Sequence, residues 1–330
     1  MEIETESVLF RYQLNDLINL IKKHEYKIVV LQFPDEELEF SVPVYDYLSV
    51  NLPSSSDIFI TADSTWGSSI DDVSAMHCDG DVLVYFGTDL SSSGTIPVVI
   101  MPPRKPIDET HCQNSLHSAI EDYKKEHTLN KLVVFYEPGY YLPCQRLAAS
   151  MVTQGNYSIE LAELPNHADL LNWIPRLGRN QTEEIDKITM GGLLVSANVL
   201  EDKQNLIVYI GEKTEQIVNI LLRVCEHTVF HYIPNNISSS IKILKGTEII
   251  QFRERYGGVL RVKDANIIGI IVGSMGLTSD LTKDLLHRLQ ILIRSAHKKY
   301  YCFVMGRLTE AKLCNFPEVR TCPVLFYTIL

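Results

Sequence analysis

Short, continuous apolar segments recur along this chain, and they restrict its possible folds more than any other feature. Val82–Phe86 (VLVYF) and Leu206–Ile210 (LIVYI) are two of them. Continuous apolar runs of this length are typical of strands that are buried on both faces of a parallel sheet. Seven further strands are predicted over residues 27–32, 57–61, 98–101, 132–136, 228–232, 267–272 and 301–305.

Amphipathic patterns with helical spacing lie between these apolar segments. Strands that alternate with helices indicate an α/β fold, in which right-handed crossovers connect parallel strands. The predicted fold class is therefore α/β, with parallel sheets covered by helices. Helices are predicted over residues 14–24, 42–48, 71–77, 116–127, 142–154, 214–226 and 280–297.

The pattern of strands and helices divides into three α/β domains. The first covers residues 1–105 and ends in a proline-rich segment, MPPRKP, which is typical of a linker. The second covers residues 106–203. The third covers residues 204–330 and is interpreted as incomplete at its C-terminus. KLVVFYEPGYYLPC in the second and NLIVYIGEKTEQIV in the third are both strand–turn–helix units, which indicates a repeated domain plan.

Charge and hydrophobicity exclude several classes of protein. The 330 residues carry a formal net charge of −11, so general binding to a nucleic-acid backbone is not expected. No apolar run approaches the roughly 18 residues that a bilayer-spanning helix needs. The chain opens with MEIETES, which lacks the basic and apolar regions of a signal peptide. We therefore expect a cytoplasmic protein that binds neither nucleic acid nor membrane.

One local pattern is a candidate binding feature. Gly273 and Gly276 form a Gly-X-X-Gly turn directly after a predicted buried strand, where parallel sheets bind ligands, although the turn is neither a P-loop nor a full dinucleotide fingerprint.

The seven cysteines include no Cys-X-X-Cys pair, so a disulfide framework is not expected. Cys225 and Cys302 are interpreted as small buried apolar residues.

Three stretches carry a resemblance to a known family. They are YKIVVLQFPDEELEF from Tyr26, TADSTWGSSIDDVSAMH from Thr61 to His77, and the C-terminal part from Leu206 to Val319 with its ordered set of Gly turns. Together these stretches resemble the diphthamide-synthesis family, and within it the second subunits of the eukaryotic enzyme. The resemblance implies three related parallel-sheet α/β domains around a pseudo-threefold axis.

The resemblance also implies a chemistry and a set of partners. Family members hold a 4Fe-4S cluster with one cysteine from each domain, and S-adenosylmethionine binds the open iron. A 3-amino-3-carboxypropyl group is then transferred to a histidine of elongation factor 2, the first step of diphthamide biosynthesis. The implied partners are a catalytic paralogue, subunit 1, in which S-adenosylmethionine binds; elongation factor 2; and a small electron-donating iron protein.

This chain departs from the family at its cluster cysteines. The positions that match them hold Ser69, Asp89 and Tyr327. Oxygen ligands are poorer partners than thiolates for the iron of such a cluster. Cys78 and Cys322 lie nearby in sequence and are the candidate substitutes. The favoured interpretation is that this chain binds no cluster.

The sequence thus predicts an accessory, non-catalytic subunit of the heterodimeric transferase. Two alternatives stay open. The chain could be an independent enzyme with an atypical cluster, or with a nucleotide site at Gly273 and Gly276. It could also be an inactive fragment whose third domain does not close.

Overall fold

A computed structural model gives the architecture of the chain. It forms two compact units, Met1–Ile249 and Ile250–Leu330. The structure describes residues 5–62, 70–88, 90, 96–154, 157–165, 187–200, 202–212, 214–235, 241–273, 280–305, 309–319 and 324–325.

The described residues form mostly parallel β-structure with flanking helices. The strands are β1 (Ile28–Gln32), β2 (Asp57–Ile60), β3 (Val82–Tyr85), β4 (Val98–Ile100), β5 (Lys131–Tyr136), β6 (Ser158–Leu161), β7 (Lys187–Met190), β8 (Leu193–Ser196), β9 (Leu206–Ile210), β10 (Thr228–Tyr232), β11 (Lys242–Lys245), β12 (Ile267–Gly273), β13 (Lys299–Met305) and β14 (Val324–Leu325). The helices are α1 (Thr5–Arg11), α2 (Leu14–Lys23), α3 (Ser41–Asn51), α4 (Asp72–His77), α5 (Glu109–Lys124), α6 (Tyr141–Gln154), α7 (Thr214–Arg223), α8 (Ile250–Asp264), α9 (Asp280–Ser295) and α10 (Glu310–Leu313).

The first sheet is parallel, with the strand order β2-β1-β3-β4. Successive side chains of a strand point to opposite faces. Val82 and Val84 of β3 accordingly pack in one core with residues of α1, α2 and α3. Leu83 and Tyr85 face the other way and join the larger core of this unit. Both faces are therefore covered, which explains why β3 is apolar throughout.

The second sheet has the order β11-β10-β9-β5-β6. Its strands are parallel except β11, which runs antiparallel to β10. The central strand, β9, is buried along its whole length. It pairs directly with β5, so one sheet contains strands from both sides of residue 203. The compact units thus divide the chain at 249/250, whereas the three predicted domains and their pseudo-threefold arrangement stay a prediction.

The second unit has a smaller sheet, β13-β12-β14, with all pairs parallel. Its core includes Ile268, Ile270 and Val272 of β12 together with Ile293 of α9. Helix α8 has no buried residue, and most of β13 is exposed. The prediction that Cys302 is buried was therefore wrong: it lies on this exposed strand.

All nine predicted strands are present, which confirms the α/β class. The five strands that were not predicted are short: β6, β7, β8, β11 and β14. β11 (KILK), for example, is largely exposed, so its sequence lacks a continuous apolar run. Among the described residues, no helix is long and apolar enough to cross a membrane.

Candidate functional site

A cavity of about 470 Å³ lies at the carboxyl ends of β4 and β5. In parallel α/β sheets this edge is where ligands bind. Its walls come from Phe10 at the end of α1, from the end of β4 and most of the segment that follows it up to Ile107, from Pro138 and Gly139 after β5, and from the first turns of α6. The cavity therefore joins the edge of the first sheet to the edge of the second within one compact unit.

The wall formed by residues 100–107 is held on two sides. The backbone N–H of Arg104 donates to the carbonyl of Arg11 (2.9 Å), and that of Lys105 donates to the carbonyl of Gly139 (3.0 Å). A Cβ at Gly139 would stand 2.5 Å from the carbonyl oxygen of Pro103, so only glycine allows this approach. Prolines in this segment further restrict its backbone. The segment, predicted as a linker from its composition, is thus a fixed wall of the cavity.

A buried carboxylate ties the strand ends together beneath this wall. Glu137, directly after β5, is fully buried, and its Oε1 lies 2.8 Å from Nζ of Lys105. Its Oε2 accepts a hydrogen bond from the backbone N–H of Glu212, after β9 (3.0 Å). Nζ of Lys105 is also 4.0 Å from a carboxylate oxygen of Glu212. These contacts fix the carboxyl edges of β5 and β9 relative to the segment after β4.

The charged groups around the cavity differ in their pairing. Nε of Arg146 donates to both carboxylate oxygens of Glu109, at 3.0 and 3.3 Å. Lys105 is paired with Glu137, as described above. The Arg104 guanidinium makes no hydrogen bond or ion pair with any side chain in the described part of the molecule. Burial lowers the pKa of Arg104, and the nearby charge of Asp16 opposes this effect.

The structure places only some of the predicted site residues. Cys78 is half-buried and follows the last residue of α4, where its N–H donates to the carbonyl of Ala75. Gly273 is the last residue of β12, opposite Met305 of β13, in the second unit. Five predicted positions lie outside the described residues: Ser69, Asp89, Gly276, Cys322 and Tyr327.

The chain near the first of these positions is anchored. Asp71 caps α4 by accepting hydrogen bonds from the N–H groups of Val73 and Ser74. Its own N–H donates to the side chain of Gln32, at the end of β1 (3.0 Å). The start of α4 is therefore fixed against the carboxyl end of β1.

The described cysteines do not form a cluster site. Cys112 on α5 and Cys144 on α6 are both buried in the larger core. Burial raises the pKa of Cys112 to about 12 and raises the pKa of Cys144 as well, which disfavours the thiolate that iron requires. Within the described ranges, no group of three or more His, Cys, Asp and Glu side chains could hold a metal ion.

Sequence reasoning missed the residues that organise the cavity. Glu137 directly follows a buried strand, and this position is a usable signal because polar residues at the ends of parallel strands line the ligand crevice. Arg104 and Lys105 were assigned to a linker because proline dominates their segment. Their roles depend on contacts with Arg11, Gly139 and Glu137, which are distant in sequence and leave no local pattern.

Comparisons with known proteins agree with this architecture. In Cryptococcus neoformans, 2-(3-amino-3-carboxypropyl)histidine synthase subunit 2 is 27% identical over 322 residues, which are 96% of this chain and 60% of the relative. The Schizosaccharomyces pombe protein of the same name is 28% identical, over 94% of this chain and 58% of the relative. The chain thus spans about three fifths of the length of these relatives.

Solved structures and a family model extend the comparison. The crystal structure of Dph2 from Pyrococcus horikoshii with a 4Fe-4S cluster has a TM-score of 0.66 and 16% identity, and the match covers 95% of this chain and 83% of that chain. At 16% identity, this likeness shows a shared fold. The family model described as diphthamide synthesis protein matches residues 33–325. The resemblance seen in the sequence is therefore confirmed, and the chain belongs to the diphthamide synthesis protein family.

Proposed function

We propose that this chain is an accessory subunit of the heterodimeric enzyme that begins diphthamide biosynthesis. The observation that carries the proposal is its similarity to second subunits over 94–96% of its length. In this role it pairs with the catalytic paralogue, subunit 1. That subunit binds S-adenosylmethionine and transfers its 3-amino-3-carboxypropyl group to a histidine of elongation factor 2, in the cytoplasm.

The donor set of this chain supports a subunit without a cluster. Serine, aspartate and tyrosine at positions 69, 89 and 327 offer hard oxygen donors where thiolates are needed. Cys112 and Cys144 are buried in the core with raised thiol pKa values. No step of the reaction is therefore assigned to a cluster in this chain. The small electron-donating iron protein of the pathway delivers its electrons to the catalytic subunit.

The chain's own contribution is then structural. Both faces of its first sheet are covered, and the central strand of the second is wholly buried. Such a framework holds a fixed surface for the paralogue and for elongation factor 2. The proposal accordingly requires a stable complex between the two subunits.

The test is to co-express the chain with its catalytic paralogue without oxygen and to count iron in the purified complex. One 4Fe-4S cluster, about four iron atoms per heterodimer, is expected. About eight would mean that this chain binds its own cluster and would refute the cluster-free role. A Cys78→Ala/Cys322→Ala variant should leave the iron count unchanged. If the chain and the paralogue elute separately in size-exclusion chromatography, the accessory role fails.

A further inference from the structure

We propose that the cavity at the ends of β4 and β5 binds a small apolar molecule with one anionic head, and that Arg104 binds this head. The volume of the cavity, about 470 Å³, lies within the range of ligand pockets, roughly 300–1,000 Å³. Such pockets are mainly apolar with a few polar groups. The walls here include Ile100, Met101, Ile107 and Leu142. An apolar ligand body is therefore expected.

The pairing of the charges decides the sign of the head group. Nε of Arg146 donates to both carboxylate oxygens of Glu109. Lys105 forms an ion pair with the buried Glu137. Arg104 is the lining cation that has no side-chain partner among the described residues. Asp16 is the acidic group that influences it, but the two are not within ion-pair distance. Arg104 is thus the lining charge that is left available to bind an anionic group of a ligand.

Arginine is suited to this role when it is partly buried. Its guanidinium presents several N–H donors in a plane and matches the oxygens of a carboxylate or a phosphate. Burial removes water from the guanidinium, which strengthens its hydrogen bond to an anion. The start of α6, a helix of 14 residues, forms part of the same wall, and its dipole favours negative charge.

The cavity is also held in shape without a ligand. The segment that carries Arg104 is hydrogen-bonded to Arg11 on one side and to Gly139 on the other. Little ordering is therefore needed when a ligand binds, which favours affinity. At the end of α1, Phe10 lines the cavity while remaining 65% exposed, so an apolar ring meets solvent at this wall.

The test uses a fluorescent probe of this chemistry, 1-anilinonaphthalene-8-sulfonate, with the full chain. Its uncharged counterpart, N-phenyl-1-naphthylamine, has the same rings but no anionic head. Arg104→Gln should weaken binding of the sulfonate about tenfold, as expected for loss of a hydrogen bond to a charged group. The same variant should leave binding of the uncharged dye unchanged. Arg104→Lys should recover part of the affinity, since it keeps the charge.

Arg223→Gln is the matched control, because Arg223 is exposed on α7 and does not line the cavity. Leu142→Trp adds volume inside the cavity and should reduce binding of both dyes. Equal affinity of the sulfonate for the wild type and Arg104→Gln would overturn the proposal, since the dye would then bind exposed apolar surface instead. An equal loss of affinity for the sulfonate in Arg223→Gln would also overturn the proposal.

The chemistry of the head is resolved by competition. 1-Naphthaleneacetate and 1-naphthyl phosphate share a ring system and differ in their anionic group. Displacement of the sulfonate by the first identifies a carboxylate ligand, and displacement by the second identifies a phosphate. Failure of both to displace it from the wild type would contradict the assignment of Arg104 to such heads.

Discussion

Nζ of Lys105 lies 2.8 Å from the Oε1 atom of Glu137, a carboxylate that is fully buried. Lys105 lies in the segment after β4 of the first sheet, whereas Glu137 directly follows β5 of the second sheet, 32 positions later in the sequence. A buried charge needs a partner, since its desolvation is costly. This ion pair therefore couples the segment after β4 to the edge of the second sheet.

Lys105→Met should lower the free energy of unfolding by about 2 kcal/mol. Breaking a fully buried pair costs roughly 3–5 kcal/mol, and the cost is smaller here because Lys105 is 30% exposed. Urea unfolding of the full chain measures the change. Lys125→Met is the matched control: its partner Asp122 is exposed, so no measurable change is expected. An equal loss in both variants would mean that burial of Glu137 is irrelevant.

Gly139→Ala should destabilise the fold by about 1–3 kcal/mol, a typical cost of overpacking. The added Cβ would meet the carbonyl oxygen of Pro103 at 2.5 Å, and backbone atoms cannot easily move aside. Gly257→Ala, inside α8, meets nothing within 4 Å and should instead stabilise the helix by about 0.5–1 kcal/mol. Thermal unfolding of both variants distinguishes the two effects, and the same sign in both would contradict them.

Because the Cys112 thiol is buried, we expect the free energy of unfolding to fall at alkaline pH. Its pKa is raised to about 12 in the fold, from an ordinary value of 9.0, because the thiol is buried. Between these values the unfolded chain has lost the proton that the folded chain retains, so stability falls as pH rises. Cys112→Ala should reduce this slope by about 1.4 kcal/mol per pH unit from pH 9 upward.

Urea unfolding at pH 8, 9, 10 and 11 measures the slope for Cys112→Ala. Cys314→Ala serves as the control, since Cys314 is exposed. It should leave the slope as in the wild type. If removing Cys112 leaves the slope unchanged, its thiol ionises equally well in the folded and unfolded chains.

Tyr12→Phe should cost about 0.5–1.5 kcal/mol, the net value of one hydrogen bond. The Tyr12 hydroxyl donates to Glu37 at 2.5 Å, and Arg11 also donates to this carboxylate from Nε and Nη2 at 2.8 and 2.6 Å. Glu37→Ala should cost more, because it leaves the buried Tyr12 hydroxyl and the Arg11 guanidinium without their acceptor. Chemical denaturation that ranks Tyr12→Phe as the more damaging change would contradict this arrangement.

The strands were predictable because their burial is recorded in local sequence. β3 and β9 are buried at every position, and a run of five apolar residues is their direct consequence. α8 was not predicted because none of its residues is buried, so no apolar stripe marks it. Helix α5 begins at Glu109, seven residues before the predicted start, because Asp108 caps it. That cap precedes a polar first turn, which the apolar pattern does not detect.

The candidate site was much less predictable. Family resemblance pointed to Ser69, Asp89 and Tyr327, which lie outside the described residues. Arg104 and Glu137, which organise the cavity, gave no motif. Glu137 becomes a buried ion-pair partner only when Lys105 is brought beside it by the hydrogen bond between Lys105 and Gly139. Such a relationship depends on tertiary structure and has no counterpart in a local pattern.

The pairing of β5 with β9 has a consequence for synthesis of the chain. β6 follows β5 in the chain and pairs with one of its edges, and the other edge of β5 stays open until β9 follows roughly 70 residues later. At roughly 5–20 residues per second, this interval lasts about 4–14 s. An apolar edge exposed for that long is a site of aggregation. We therefore expect the nascent chain to depend on chaperones during this interval, and a pause in translation before Leu206 to lower its yield.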